Sequence, residues 1–273
     1  MSEQATSYLA EITEDAARGE TARIYGEIRR LGAVPFVALI YRHLATIPGG
    51  LEAVWQAVAP LLESGRLQER AWKLARDAWD GTGADAGPDL RGLDADSVSR
   101  IGDVIAAYNR ANPVNLAIVA LIRQAPREDA TASRAAERRT WTAPPVIPAL
   151  PPIPPMASLP PNVRAAVDTF GKPDAPGSPV LVPTLYRHLA HWPGFLAMVQ
   201  REVLPRLASG AFQPAIDRFR SAIHAESATL GRGSVHESEA LLGELTPVLD
   251  RFTAVIPEMV VVGGFLSRSL ESR

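Results

Sequence analysis

Nine prolines fall within the twenty-one residues of "WTAPPVIPALPPIPPMASLPP", Trp141–Pro161. No other feature restricts the fold as strongly. Proline fixes φ and carries no backbone N–H, so this stretch cannot form a helix interior and must run extended, in polyproline-like form. It divides the chain into residues 1–140 and 162–273. Val146, Ile147, Leu150, Ile153 and Met156 make it too apolar for a solvated spacer. The expectation is a connector that lies on the protein surface and buries those side chains. A ligand for proline-reading domains has the same composition, but the internal position and the apolar residues favour the structural role.

On the two sides of this connector one phrase recurs. "YRHLATIPGGLEAV" begins at Tyr41 and "YRHLAHWPGFLAMV" at Tyr186, with nine of fourteen positions identical. "VIAAYNRANPVNLAIVALI" (from Val104) and "VLDRFTAVIPEMVVVGGFL" (from Val248) stand at nearly the same offset, with Pro113 opposite Pro257. Apolar residues recur at three and four rather than two. Leu51, Val54, Trp55, Val58, Leu61 and Leu62 form one helical stripe, and so do Val98, Ile101, Ile105 and Tyr108, with Asp94 or Asp96 as cap. Trp72, Ala75 and Trp79 share a face that Gly81 ends. The fold class predicted is all-α: two similar helical repeats, 1–140 and 162–273, joined by the proline-rich connector 141–161 and packed like a fused homodimer. Tyr41/Tyr186, Leu44/Leu189 and Ala45/Ala190 are then packing positions.

Composition excludes several functions. The net charge of −2 and the lack of a basic cluster beyond Arg134–Arg139 give no case for nucleic acid or a membrane surface as partner. The chain has no cysteine, which removes thiolate nucleophiles, disulfides and iron–sulfur ligation. A polar, acidic start and the absence of a long apolar run predict a cytoplasmic protein. No nucleophile elbow, zinc-protease helix or dinucleotide fingerprint occurs, and "GRG" at Gly231–Gly233 lacks the Lys-Ser/Thr of a phosphate loop. His188 and His191 stand at i and i+3 without a third ligand, so neither metal nor cofactor is expected. His43 and His188 match each other, which favours a structural, hydrogen-bonded ring; His224 and His236 read as loop residues.

In a symmetric pair, a single site must lie where the halves differ. Asn112 stands opposite Ile256, and Asn115 opposite Met259. The bland reading is capping: Asn112 precedes Pro113 as an N-cap precedes proline at the first helical position. The sharper reading is an amide aimed at a ligand.

The doubled helical unit, the connector, "LYRHLAHWPGFL" and "YNRANPVNLAI" together resemble the group I 2-haloacid dehalogenases, which act on both D and L substrates. Each half alone is also similar to the alkylhydroperoxidase-like helical unit, whose redox Cys-x-x-Cys is absent here. The dehalogenase resemblance implies displacement of halide from Cα by an activated water, without a covalent ester. It implies an Asn of the first half holding that water and an Asp of the second half taking its proton. Asn112 matches the Asn, with Asn115 second; Leu185 stands where the Asp is implied, and no Asp or Glu occurs between Val180 and Gln200. His188 is the substitute base nearest in sequence. Phe36, Tyr108, Asn115, Thr184 and Leu185 are the implied substrate contacts. Three readings follow: a hydrolase using Asn112 and His188, a non-catalytic binder of a small apolar carboxylic acid, or an interaction protein using the proline belt. A homodimer is left open.

Overall fold

Helix follows helix wherever the apolar stripe repeats. The structure, a computed structural model, describes residues 7–80, 92–123, 141–175, 177–230 and 239–271. Gly81, the Arg134–Arg139 cluster, "GRG" and His236 lie outside the described residues. The described residues contain α1 (Gly19–Gly32), α2 (Leu39–Leu44), α3 (Gly50–Leu62), α4 (Arg66–Trp79) and α5 (Ala95–Arg123). After a 3₁₀ turn at Met156–Ser158 come α6 (Pro161–Asp168), α7 (Thr184–Leu189), α8 (Pro193–Ala208), α9 (Gln213–Leu230) and α10 (Glu239–Glu271). Two isolated bridges, Tyr8 with Val180 and Lys172 with Leu181, are the β-pairing among the described residues. The protein is all-α.

The order α2–α3–α4–α5 is followed by α7–α8–α9–α10, with the two YRH phrases on the six-residue helices α2 and α7. Every pairing among α4, α5, α9 and α10 makes contact, and α5 against α10 is the most extensive. All residues from Ala111 to Ile122 are buried, as are Val255–Leu266 apart from Glu258. Helices apolar all round must sit in a core. Gly263 and Gly264 make the approach close: a Cβ on either would overlap Asn109 or the Trp79 ring. Instead the Asn109 amide donates to the Gly263 carbonyl at 3.1 Å and the Trp79 indole to that of Val260 at 2.9 Å.

This packing overturns the capping expectation for Asn112. α5 runs unbroken through Pro113, which is inside the helix, and so does α10 through Pro257. An interior proline costs about 3 kcal/mol, but the apolar area that these turns bury on all sides exceeds it. The N-cap is Asp94, whose Oδ1 accepts from the Ser97 amide at 2.8 Å. His224 lies in α9 rather than in a loop, because Phe219 and Ile223 beside it complete a buried stripe.

The connector wraps the bundle with a three-residue period, as expected for a polyproline helix. Ile147 and Met156 are buried, and Leu150 and Ile153 pack against the same core. Val146, one residue out of phase, is 91% exposed, which corrects the expectation that it is buried. The carbonyls of Pro145, Pro151 and Pro154 accept from Arg110, His188 and Arg187. Proline has no backbone N–H, so the polar ties at these three positions run through carbonyls. At its start Trp141 lies over Gly65, whose φ of +69° and missing Cβ both suit glycine alone.

Candidate functional site

Two YRH helices start at one cavity. Its enclosed space is ≈ 40 Å³ and opens to solvent, and it lies between the first turns of α2 and α7, the middle of α5, and α10. Asn112, Asn115, Tyr108, Thr184 and Leu185 line it. Phe252, Val255, Ile256 and Met259 of α10 form the apolar wall. Those α10 residues were not singled out as contacts, although Ile256 and Met259 are the sequence partners of the two asparagines. Their signal was the same mismatch between the two aligned segments, read from its other side.

The site is rich in donors and poor in charge. No lining residue is Asp or Glu. Asn112 is 9% exposed, and its amide has no hydrogen-bond partner among the described residues. Asn115 is fixed, because its Oδ1 accepts from the Tyr41 hydroxyl at 3.0 Å. Neither α2 nor α7 has a side-chain cap, so the first-turn N–H groups of Leu39, Ile40, Thr184 and Leu185 have no partner within their helices.

Phe36 and His188 do not line this cavity. His188 stands behind Tyr108, 1% exposed, with Nε2 2.6 Å from the Pro151 carbonyl and Nδ1 3.0 Å from the Tyr108 hydroxyl. A carbonyl only accepts, so Nε2 carries the proton and Nδ1 accepts from Tyr108. Burial, followed by the nearby His191, Arg42 and Arg187, outweighs the Pro151 contact and lowers the His188 pKa to about 4. Burial raises that of Tyr108. Phe36 packs on Tyr108, ring centroids 4.6 Å apart, and lines a second, apolar cavity. His191 turns its Nε2 to the Pro152 carbonyl at 2.9 Å, so the two imidazoles address the belt and not a common ion. Among the described residues no group of three His, Asp or Glu side chains could hold a metal. None of the helices there is long and apolar enough to cross a membrane.

Beside the site lies an ionic knot that sequence reading passed over. Arg42 and Arg187, 3% and 7% exposed, converge on Glu11 of the N-terminal segment. Arg187 Nη1 donates to Glu11 Oε1 at 2.8 Å, and two further guanidinium nitrogens donate to the Pro154 carbonyl. Arg42 Nη2 lies 2.8 Å from Oε2 as a charge contact; neither atom has an aligned hydrogen bond. The recurrence of Arg in the doubled phrase was the available signal; the position of Glu11 was not legible.

No family model and no curated protein matches the chain by sequence. Solved structures match its fold. A D-2-haloacid dehalogenase in complex with L-LA has a TM-score of 0.75 at 18% identity, over 97% of both chains. A mutant of D-2-haloacid dehalogenase with D-2-CPA has a TM-score of 0.76 at 19% identity, over 97% of this chain and 96% of that one. The chain therefore shares, along nearly its whole length, the helical scaffold on which D-2-haloacid dehalogenases are built.

Proposed function

We propose that this protein binds a small carboxylic acid with a short apolar substituent, in the cavity between α5, α7 and α10. The observation that carries the reading is Asn112, a largely buried residue whose amide makes no hydrogen bond to the described residues and lines a chamber without a carboxylate. An amide that opens onto the chamber and is not held by the protein is free to donate to an acceptor on a ligand. The first-turn amides of α2 and α7 add donors, and the α10 wall suits an alkyl or halogen substituent. The same reading takes α2–α5 and α7–α10 as two copies of one unit clasped about the cavity. Support comes from the doubled YRH phrase and the parallel helix order.

The shared scaffold favours a second reading, hydrolytic dehalogenation of a 2-haloalkanoic acid. Asn112 would hold the attacking water. Its proton would pass to the Tyr108 oxygen while the Tyr108 proton moves to His188 Nδ1. With His188 titrating at about 4, that route is a weak base at neutral pH. Loss of an effective general base costs about 10²–10⁴-fold in rate.

One experiment separates the readings. Thermal melting and calorimetry with both enantiomers of 2-chloropropionate test binding, and halide release tests turnover. Stabilisation without halide release supports the binder, and Asn112→Leu should abolish that stabilisation. Halide release that His188→Gln abolishes supports the hydrolase. Neither stabilisation nor release sinks both.

A further inference from the structure

Two turns of the molecule repeat each other. "SGRLQ" (Ser64–Gln68) leads from α3 into α4, and "SGAFQ" (Ser209–Gln213) leads from α8 into α9. Gly65 and Gly210 both stand at positive φ, +69° and +74°. Their N–H groups donate to the carbonyls of Leu62 and Leu207, at 3.1 and 3.2 Å. The backbone turns alike in both places, so what covers each turn can be compared directly.

The first turn is sealed. Gln68 is 0% exposed, and its Nε2 donates to the Leu31 carbonyl in the last turn of α1 at 3.0 Å and to that of Leu62 at 2.7 Å. Ile28, Gly32 and Val34 leave only ≈ 20 Å³ of space beside Leu62, and Trp141 lies over Gly65. The second turn is bare. Leu207 is half-buried, Ala208, Gly210 and Gln213 are exposed, and a Cβ on Gly210 would meet nothing within 4 Å among the described residues. Gln213 Nε2 reaches Asp217 of its own helix at 2.9 Å. Here a groove of ≈ 390 Å³ opens to solvent, floored by Leu204, Leu207, Phe212 and Ile216. The length of the covering helix makes the difference. α6 packs on α8 as α1 packs on α3, but it has 8 residues against 14. Lys172, beyond its end, closes one side by pairing with Glu258 at 3.0 Å, so the groove offers apolar surface and the Gln213 amide without net charge.

We propose that this groove docks the C-terminal turn of an amphipathic helix from a partner protein. The filled counterpart supplies the chemistry of the occupant: two apolar side chains three residues apart, Ile28 and Leu31, and a carbonyl for the glutamine. The last carbonyls of a helix lack partners within it, so an amide donor at the groove suits a helix C-terminus. Leu207 and Ile216 take the apolar side chains, and Gln213 donates to the end carbonyl. The proposal stands independently of the small-acid reading.

The probe is the protein's own α1 as an amidated peptide, residues 19–34, with a lactam joining the exposed positions 19 and 23 to hold it helical. Titrated into the full-length protein labelled at its Leu and Ile methyl groups, it should shift the Leu204, Leu207 and Ile216 resonances saturably. A peptide carrying Leu31→Asp should not. In the protein, Gln213→Ala should weaken binding by about three- to tenfold, the worth of one hydrogen bond. Ala208→Glu should weaken it more than Ala208→Lys, because the docked helix brings the negative end of its dipole there. Both positions are exposed, so these variants keep the fold. No saturable shift, equal binding of the Leu31→Asp peptide, or equal effects of the two charges at position 208 would overturn the proposal. Shifts at Leu62 in place of Leu207 would mean exchange with the native α1 and would overturn it too. So would concentration-dependent shifts of the same methyl groups without peptide, which would assign the groove to a second copy of the chain.

Discussion

Tyr41-Arg42-His43 and Tyr186-Arg187-His188 are the same tripeptide on helices of the same length, yet they do different work. Tyr41 gives its hydroxyl to Asn115; Tyr186 stacks on Phe170 with ring centroids 3.7 Å apart, and its hydroxyl is buried without a partner. His43 is half-buried against the Ala10 carbonyl, whereas His188 is sealed between Tyr108 and the proline belt. Only the arginines do one job together, by meeting at Glu11. The lesson is that repeated residues set the placement of a side chain, and its partners come from segments that are not repeated: the N-terminal segment, the belt, and the Asn112/Asn115 face of α5.

The largest break in this comparison should come at Glu11. Glu11→Gln removes the one negative charge between two buried guanidinium groups. Uncompensated buried charge costs about 3–5 kcal/mol, and chemical denaturation should show a loss of that size. A loss below about 1 kcal/mol would mean that the arginines find other partners.

The histidines should separate by pH. A His with a lowered folded pKa binds its proton more readily in the unfolded chain, so stability falls as pH drops below the unfolded value and goes on falling to the folded one. For His188 that window runs from about 6.5 down to about 4, on the order of 3 kcal/mol. His43 shifts in the same direction, with burial as the first cause. The slope of unfolding free energy against pH across that window should flatten more in His188→Gln than in His43→Gln. Equal flattening would erase the distinction drawn between the two rings.

The tyrosines give the smallest effects, and opposite ones. Tyr41→Phe strands the Asn115 carbonyl and should cost about 1–3 kcal/mol. Tyr186→Phe removes a hydroxyl that has no partner among the described residues, and should be neutral or slightly stabilising. Melting temperatures of the two variants side by side test the contrast; two equal losses would show that Tyr186 has a partner after all.

Much of this architecture was legible in the sequence. The three-to-four spacing of Leu51, Val54, Trp55 and Val58 specified an amphipathic helix, because that period places side chains on one face of any α-helix. The nine prolines specified an extended belt, because proline at that density is excluded from helix and sheet interiors. The mismatch of Asn112 with Ile256 and of Asn115 with Met259 between the two aligned segments pointed to residues that line the cavity, since a polar residue among apolar ones requires a reason. Tertiary packing decided the rest. Pro113 lies within a helix rather than at its start because every residue from Ala111 to Ile122 is buried in the bundle, a gain no local propensity records. Whether His188 serves as a base or as a support depends on the belt carbonyl and on Tyr108, eighty residues away in sequence. Local rules fix the period and the chain direction; the partner of a buried polar group is fixed only by what the rest of the chain brings within hydrogen-bonding distance.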